Sequence, residues 1–110
     1  MEKKGSVVVY CIAILTDQEQ EGQKSAEYIR NYCTEKQVFP LIEIYQKQEQ
    51  FFARTLKTVP TVVFLALPGV SGLNAAEQLR SLYPKCGIIW CSDLDFSLHA
   101  FRLRIEYFFM

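Results

Sequence analysis

The stretch from Val62 to Leu67 is apolar at every position and runs directly into Pro68-Gly69, after which a helical pattern begins. A short, continuous apolar run that ends in turn residues is typical of a buried strand. In an open α/β sheet, ligands and reactive groups gather at the carboxyl ends of such strands. Ala66 holds that place here, and its side chain is neither an acid, a nucleophile nor a metal ligand.

The rest of the chain alternates apolar runs with amphipathic segments. The first run, residues 7–16, is apolar on both faces, as is typical of strands inside a parallel sheet. Strands that alternate with helices indicate βαβ units with right-handed crossovers. We therefore predict a three-layer α/β fold with a five-stranded parallel sheet, and Pro40 favours an edge position for the second strand. The strands are predicted at 7–16, 38–45, 61–67, 87–91 and 106–110, and the helices at 18–36, 47–57, 72–82 and 93–104.

Helical spacing also predicts which side chains face the core. Each of the four helices carries apolar residues three or four positions apart, and we expect these residues to point inward. They are Ala26, Ile29, Tyr32 and Cys33; Phe51, Phe52 and Leu56; Ala76, Leu79 and Leu82; and Leu94, Leu98 and Phe101.

Length and charge narrow the possible functions. The 110 residues form a single predicted domain, 1–110, long enough to bury roughly two thirds of the unfolded surface. Twelve basic residues balance twelve acidic ones, so we expect no direct binding of nucleic acid, which requires a basic excess on one face.

The apolar run near the N-terminus is shorter than the ~20 residues of a membrane span and lacks a signal-peptide cleavage site. We therefore expect no membrane association.

The cysteines indicate a reducing compartment. Cys11, Cys33, Cys86 and Cys91 form no C-x-x-C pair, and His99 is the single histidine. A structural zinc site needs about four ligands at short paired spacings, so we expect none. Cys11 and Cys91 lie within or at the end of apolar runs and are predicted to be buried thiols. A cytoplasmic location follows as an expectation.

Several segments resemble a known family. Residues 64–80, FLALPGVSGLNAAEQLR, resemble the F-L-D-x-x-M-P-G-M-S-G-L-x-A-A-x-x-L-R motif of response-regulator receiver domains. Ile88 to Ser92 are similar to the fourth strand of that family. Residues 95–101, DFSLHAF, resemble the E-Y-A-L-E-A-F segment of receivers attached to LytTR-type DNA-binding domains, and Glu106 to Phe109 resemble their D-Y-L-L. The resemblance implies a flavodoxin/CheY-like strand order, 2-1-3-4-5.

The resemblance also implies a phosphorylation site, which this chain lacks. Receivers accept phosphate on an aspartate that ends the third strand, with Mg²⁺ held by that aspartate and an acidic pair after the first strand. A Thr or Ser after the fourth strand and a Lys after the fifth contact the phosphoryl group. The acceptor aligns with Ala66, and the segment before Pro68 is two residues shorter than in the family. The other site positions fall on Thr16 and Asp17, on Cys91 or Ser92, and on Met110 or beyond residue 110.

We interpret this pattern as a pseudo-receiver without aspartyl-phosphate chemistry. Asp17 alone is a weak candidate for a metal ligand, so Mg²⁺ binding is not expected and no other cofactor is implied. The simpler role of Asp17 is a solvated acid or the N-cap of the first helix. Ser71 is a second candidate acceptor but is more simply a helix N-cap, and Cys91 is either a redox sensor or an inert buried thiol. His99 is taken as a surface residue.

Acidic residues also follow the fourth strand. Asp93 and Asp95 are interpreted as helix-start acids, which the helix dipole favours.

Apolar surface is expected at the end of the chain. A closing helix would follow the fifth strand in this topology, and it is either missing or lies beyond residue 110. Its absence leaves apolar surface around Tyr107, Phe108 and Phe109. Together with Phe101, these residues are the candidate interaction surface, for a protein partner or a homodimer.

The predicted function is a regulatory domain rather than an enzyme. We expect it to act through protein–protein contact and to control a separate DNA-binding domain outside these residues. Two alternatives remain: a receiver that uses Ser71 or Asp17 as acceptor, and a flavodoxin-like domain that binds or converts a small molecule. For the latter, the acidic segment after Thr16 lacks the glycine pattern of a phosphate-binding loop.

Overall fold

A computed structural model describes residues 10–110, which form a five-stranded sheet with four helices. The predicted alternation of strands and helices is confirmed. The strands are β1 (Cys11–Thr16), β2 (Leu41–Tyr45), β3 (Val62–Ala66), β4 (Gly87–Cys91) and β5 (Tyr107–Phe109); the helices are α1 (Glu19–Glu35), α2 (Gln48–Thr55), α3 (Gly69–Leu82) and α4 (Ser97–Arg102).

The strand order β2-β1-β3-β4-β5 confirms the predicted flavodoxin/CheY-like topology. All neighbouring strands are parallel, and β2 lies at the edge, as Pro40 predicted. Residues 7–9 of the predicted first strand lie outside the described residues. No helix within residues 10–110 has both the length and the hydropathy needed to cross a bilayer.

The hydrophobic core lies on one face of the sheet, beneath α2, α3 and α4. Inward side chains of β1, β3 and β4 alternate along each strand and meet Phe51 of α2, Leu79 of α3 and Ala100 of α4. Trp90 lies at its centre with no exposed surface. Its ring stacks on Phe96 with centroids 5.6 Å apart, and it meets Phe108 edge-on at 5.0 Å. Aromatic contacts of this kind add to the stabilisation from burial alone.

The other face of the sheet is only partly covered. Helix α1 packs over β1 and β2, where Gly22 lies so close that an added Cβ would meet Ile44 at 2.9 Å. Beyond α1, a row of side chains in register crosses β3, β4 and β5 at Phe64, Ile89 and Tyr107. We call Phe64, Ile89, Cys91, Tyr107 and Phe109 the open sheet face. All five keep solvent exposure, whereas Val63, Leu65, Ile88 and Trp90 on the core face are fully buried.

Two predicted helix starts are wrong. Helix α3 begins at Gly69 instead of Gly72, because Pro68 occupies the N-cap with extended backbone and Gly69 adopts a φ of 57°. Ser71 therefore lies in the first turn and is not the N-cap. Helix α4 begins at Ser97 instead of Asp93, because local side-chain hydrogen bonds hold residues 92–97 in turns.

For six apolar residues, the prediction that the side chain faces the core is wrong. Tyr32, Leu56, Leu82, Leu94, Leu98 and Phe101 are exposed. In α4 the inward stripe is instead Phe96, Ala100 and Leu103, which are spaced four and three residues apart and pack on the core. Both stripes have helical spacing, so the pattern alone does not say which one faces the sheet.

Candidate functional site

A cleft of about 300 Å³ lies at the carboxyl edge of the sheet, where the topology predicts ligands. Three loops form it: those that follow β1, β3 and β4. Its walls are Asp17, Gln18, Ala66, Leu67, Pro68, Cys91, Ser92 and Asp93. The structure therefore brings together most of the positions that the resemblance assigned to the phosphorylation site.

Ala66 ends β3 at the floor of this cleft. It is in register with Thr16 of β1, and neither residue offers a carboxylate. Thr16 is 2% exposed, and its Oγ1 accepts a hydrogen bond from the Gln18 N–H at 3.2 Å. The hydroxyl thus stabilises the turn into α1, and Thr16 supplies no second carboxylate to the cleft.

Among residues 10–110, no side chain hydrogen-bonds to Asp17, the other carboxylate of the cleft besides Asp93. It is exposed, and the N-cap of α1 is Gln18, with no side-chain capping bond. The predicted capping role for Asp17 is therefore wrong, and its role as a solvated loop acid is consistent with the structure.

Cys91 and Ser92 both line the cleft, on successive positions of the β4 end. Ser92 is 5% exposed, and its Oγ accepts a hydrogen bond from the Leu94 N–H at 3.0 Å. Its own N–H donates to the Phe109 carbonyl at 3.0 Å, which ties the loop to β5. Cys91 is half-buried rather than buried, and burial raises the pKa of its thiol. A raised pKa disfavours the thiolate that a redox sensor needs.

Asp93 is a contributor that the sequence pattern did not assign to the site. Its Oδ1 accepts a hydrogen bond from the Gly69 N–H at 2.7 Å, across 24 positions of the chain. The prediction that it starts α4 is wrong; it instead places a negative charge at the N-terminus of α3, where the helix dipole favours one. The sequence feature that could have identified Asp93 is an acid just after β4, combined with the Pro-Gly turn that follows β3. Asp95 fits the prediction better, since it accepts hydrogen bonds from the Ser97 hydroxyl and from the Ser97 N–H, the latter at 3.0 Å, and both bonds lower its pKa.

Ser71 lines a neighbouring cleft of about 440 Å³ between the β1, β2 and β3 loops. Asp17, Leu67 and Pro68 separate this cleft from the first one. Lys47 is among the other wall residues. Ser71 is exposed.

The donors in the first cleft do not fit Mg²⁺, the ion that the resemblance to receiver domains implies. Mg²⁺ is held by carboxylates together with phosphate oxygens. Ala66 supplies no oxygen from its side chain, and one oxygen of Asp93 is engaged with Gly69. Across residues 10–110, no three His, Cys, Asp or Glu side chains converge in a metal-binding arrangement. Met110, which holds the lysine position unless that position lies beyond residue 110, is exposed and follows β5.

The four aromatic residues of the candidate interaction surface lie in three places. Phe101 is 82% exposed on α4. Phe108 faces the core and contacts Trp90. Tyr107 and Phe109 belong to the open sheet face, with ring centroids 5.6 Å apart, and Phe109 also meets Phe64 at 6.3 Å.

His99 lies on α4 and is partly buried. Its ring meets Phe96 edge-on, with centroids 5.5 Å apart. This contact gives it a packing role rather than the purely surface position that we expected.

The fold matches solved receiver domains of response regulators. A signal receiver domain of a DNA-binding response regulator from Colwellia psychrerythraea superposes with a TM-score of 0.76 at 17% identity, covering 91% of this chain and 84% of that one. The response regulator TrrA from Thermotoga maritima, in complex with Mg²⁺-BeF, gives 0.71 at 17% identity, with 91% and 84% covered. DrrB from Thermotoga maritima, an OmpR/PhoB homolog, gives 0.68 at 16% identity.

The alignment with DrrB covers 94% of this chain but only 46% of DrrB, so the chain spans less than half of that protein. No protein-family model matches the sequence, and the search of curated proteins found no match. At these identities the comparisons show a receiver-type fold.

Proposed function

We propose that this chain is a regulatory, non-enzymatic domain of the response-regulator type that carries no phosphate on aspartate. The observation that supports this most is Ala66 at the carboxyl end of β3, on the floor of the cleft. A methyl side chain has no atom that can attack a phosphoryl group. The receiver-type fold supports a role in signal transduction, whereas the residues of the cleft argue against phosphorylation on aspartate.

The other positions of the cleft support the same proposal. Thr16 replaces one acid and is buried, and Asp93 is hydrogen-bonded to Gly69. A transferring phosphoryl group needs a cation and fixed positive donors around it. The cleft offers carboxylates instead, which repel an incoming anion.

The test is labelling with acetyl phosphate and Mg²⁺, read by intact mass and by Trp90 fluorescence. We expect no change in either, whereas a receiver with an intact acceptor, run in parallel, gains one phosphate. A phosphate-sized mass increase that hydroxylamine removes would overturn the proposal. Loss of that label in Asp17→Asn would identify Asp17 as the acceptor, whereas a label that resists hydroxylamine and disappears in Ser71→Ala would be a serine phosphate ester and would favour the Ser71 alternative.

We further propose that its output is protein–protein contact through the open sheet face, with a second copy as the occupant to be tested. Tyr107 is 62% exposed, and the five residues of this face carry no charge. Buried aromatic residues often dominate the energy of such interfaces. Light scattering over a wide concentration range should detect dimers.

Two substitutions to lysine, one as the test and one as the control, examine whether the open sheet face mediates dimerisation. Tyr107→Lys should shift the protein to monomers. Leu56→Lys, at an 81% exposed position after α2, adds the same charge away from this face and should leave dimers intact. A strict monomer at every concentration would exclude self-association.

We also propose a location for the protein and a place for any DNA-binding function. The four cysteines are free thiols, which supports a reducing, cytoplasmic location. Balanced charge argues against DNA binding by this segment, so a DNA-binding function would belong to a domain outside it, as in LytTR-type regulators.

A further inference from the structure

Each loop that leads into strands β2 to β5 carries one exposed lysine or arginine. The strands are parallel, so these loops meet at the amino ends of the strands, on the side opposite the cleft. Their cations are Lys36, Lys57, Lys85 and Arg104. Glu106 is the acid of these loops, and it is paired with Arg80. We call loops 36–40, 56–61, 83–86 and 103–106 the basic edge.

Exposed apolar side chains accompany these cations. Phe39 is 77% exposed, Val59 is 52% exposed and Leu82, at the end of α3, is 48% exposed. The negative ends of helix dipoles favour nearby cations, which accounts for the lysines without any partner. They do not favour exposed apolar side chains, and such side chains within a polar rim are typical of a surface that binds another molecule.

A groove of about 410 Å³ crosses the basic edge between two of its loops. Residues 59–61 form one wall, and residues 82–86 form the other. Arg80 fixes the second wall from within, because its Nη1 donates hydrogen bonds of 2.8 Å to two carbonyls of that wall. Lys85 is the charged residue among the described walls. The groove is therefore preformed, mostly apolar and marked by a positive charge.

The opposite edge of the sheet is acidic. In the loops that follow the strands, Asp17, Asp93 and Asp95 are exposed, and Lys47 is the cation of these loops. Leu94 is 48% exposed and lies between two of the acids, in a turn held by local hydrogen bonds. An apolar side chain flanked by carboxylates complements an apolar groove flanked by lysines.

We propose that the basic edge binds the 93–95 turn of a second copy of this chain. Leu94 of one copy enters the groove of the next, where Asp95 faces Lys85. The contact joins two different surfaces, so it is heterologous and extends copies head to tail. It lies along the strand axis, away from the open sheet face, and does not rest on the proposed function.

Sedimentation velocity of Tyr107→Lys tests the contact, because that substitution removes association through the open sheet face. At low ionic strength we expect its mean mass to rise with concentration. The affinity should fall roughly tenfold or more at about 1 M salt, where the screening length is roughly 3 Å. Open-face dimers are apolar and are measured by themselves at this high salt, so the two proposals can fail separately.

Charge reversal locates the contact in the same background. The pair Lys57→Glu and Lys85→Glu, which we call the reversed variant, should weaken association roughly tenfold. Leu94→Lys should weaken it from the other side of the contact. Lys24→Glu with Arg30→Glu makes an equal change of charge at exposed positions of α1 and should leave the affinity unchanged.

A charge swap tests the pairing of the two edges directly. Asp17→Lys with Asp95→Lys should not associate alone, because both of its edges are basic. An equimolar mixture with the reversed variant should associate again, since each edge then meets its opposite. Circular dichroism verifies that each variant is folded, and Leu94→Lys, which keeps Asp95, tests the same turn if the double variant unfolds. Monomers of Tyr107→Lys at every concentration would overturn the proposal, as would association that neither salt nor charge reversal weakens, or a mixture of folded variants that stays monomeric.

Discussion

Arg80 Nη2 lies 3.1 Å from Glu106 Oε1, across 26 positions of the chain. The same carboxylate oxygen accepts the Ile88 N–H at 2.7 Å. One acid thus completes the β4–β5 pairing and compensates a guanidinium that is almost fully buried. The pair joins the C-terminal turn of α3 to the start of β5.

Removing this guanidinium should be costly. Arg80→Ala leaves the carbonyls of Pro84, Cys86 and Leu103 without their donors. Breaking a buried charged network typically costs about 3–5 kcal/mol in the free energy of unfolding. Urea denaturation followed by Trp90 fluorescence measures it.

Lys24→Ala provides the control, since its side chain is 76% exposed and lies 3.9 Å from Glu21. Its urea midpoint should equal that of the wild type. Equal midpoints for both variants would contradict the structural importance of Arg80.

Gly72→Ala should destabilise the protein although alanine is the better helix former. A Cβ at this position would lie 2.5 Å from the Leu67 carbonyl oxygen and 3.2 Å from Trp90 Nε1. Overpacking of this kind costs about 1–3 kcal/mol. Asn74→Ala, at an exposed position of the same helix, should instead gain about 0.5 kcal/mol. The thermal midpoints of the two variants test this prediction. A higher midpoint for Gly72→Ala would contradict the overpacking argument.

Restoring the acceptor alone should not restore phosphorylation. Ala66→Asp supplies the carboxylate, but Thr16 still leaves the second acid of the Mg²⁺ site absent. We expect Ala66→Asp to remain unlabelled by acetyl phosphate and Mg²⁺ in intact-mass measurements. A labelled variant would mean that the site lost one residue and kept its remaining chemistry.

The cysteines should react slowly in the folded state. Burial raises the pKa of Cys86 from 9.0 to about 11 and raises the pKa of Cys91 as well. Iodoacetamide at pH 7.5 should therefore label neither residue quickly, while urea-unfolded protein should label both. Rapid labelling of Cys91 at neutral pH would revive its role as a sensor.

Stability should also fall at alkaline pH. Because the folded pKa of Cys86 lies above 9.0, the unfolded state loses this proton first as the pH rises. Its contribution is complete below pH 9 and is lost as the pH approaches 11. Urea midpoints measured across this window test the direction. Cys86→Ala is the control and should weaken the dependence without abolishing it, because burial also raises the pKa values of Cys11, Tyr45 and Cys91.

The alternation of strands and helices was predictable from apolar runs such as 62–67 and from helical spacing, whereas the strand order followed from the resemblance to receiver domains. The empty acceptor at Ala66 followed from the resemblance and lies in the predicted cleft. The orientation of α4 was not predictable, because Leu94 and Leu98 have the same spacing as Phe96 and Ala100. Stacking of Phe96 on Trp90 selects the second stripe, and this contact depends on tertiary structure.

The unequal covering of the sheet has a consequence for tolerance to substitution along β4. Ile88 and Trp90 face the filled core, whereas Ile89 and Cys91 belong to the open sheet face. A saturation scan of the isolated chain would therefore alternate between intolerant and permissive positions with a period of two. A partner that covers the open sheet face, as proposed above, should make Ile89 and Cys91 less tolerant and so weaken that alternation.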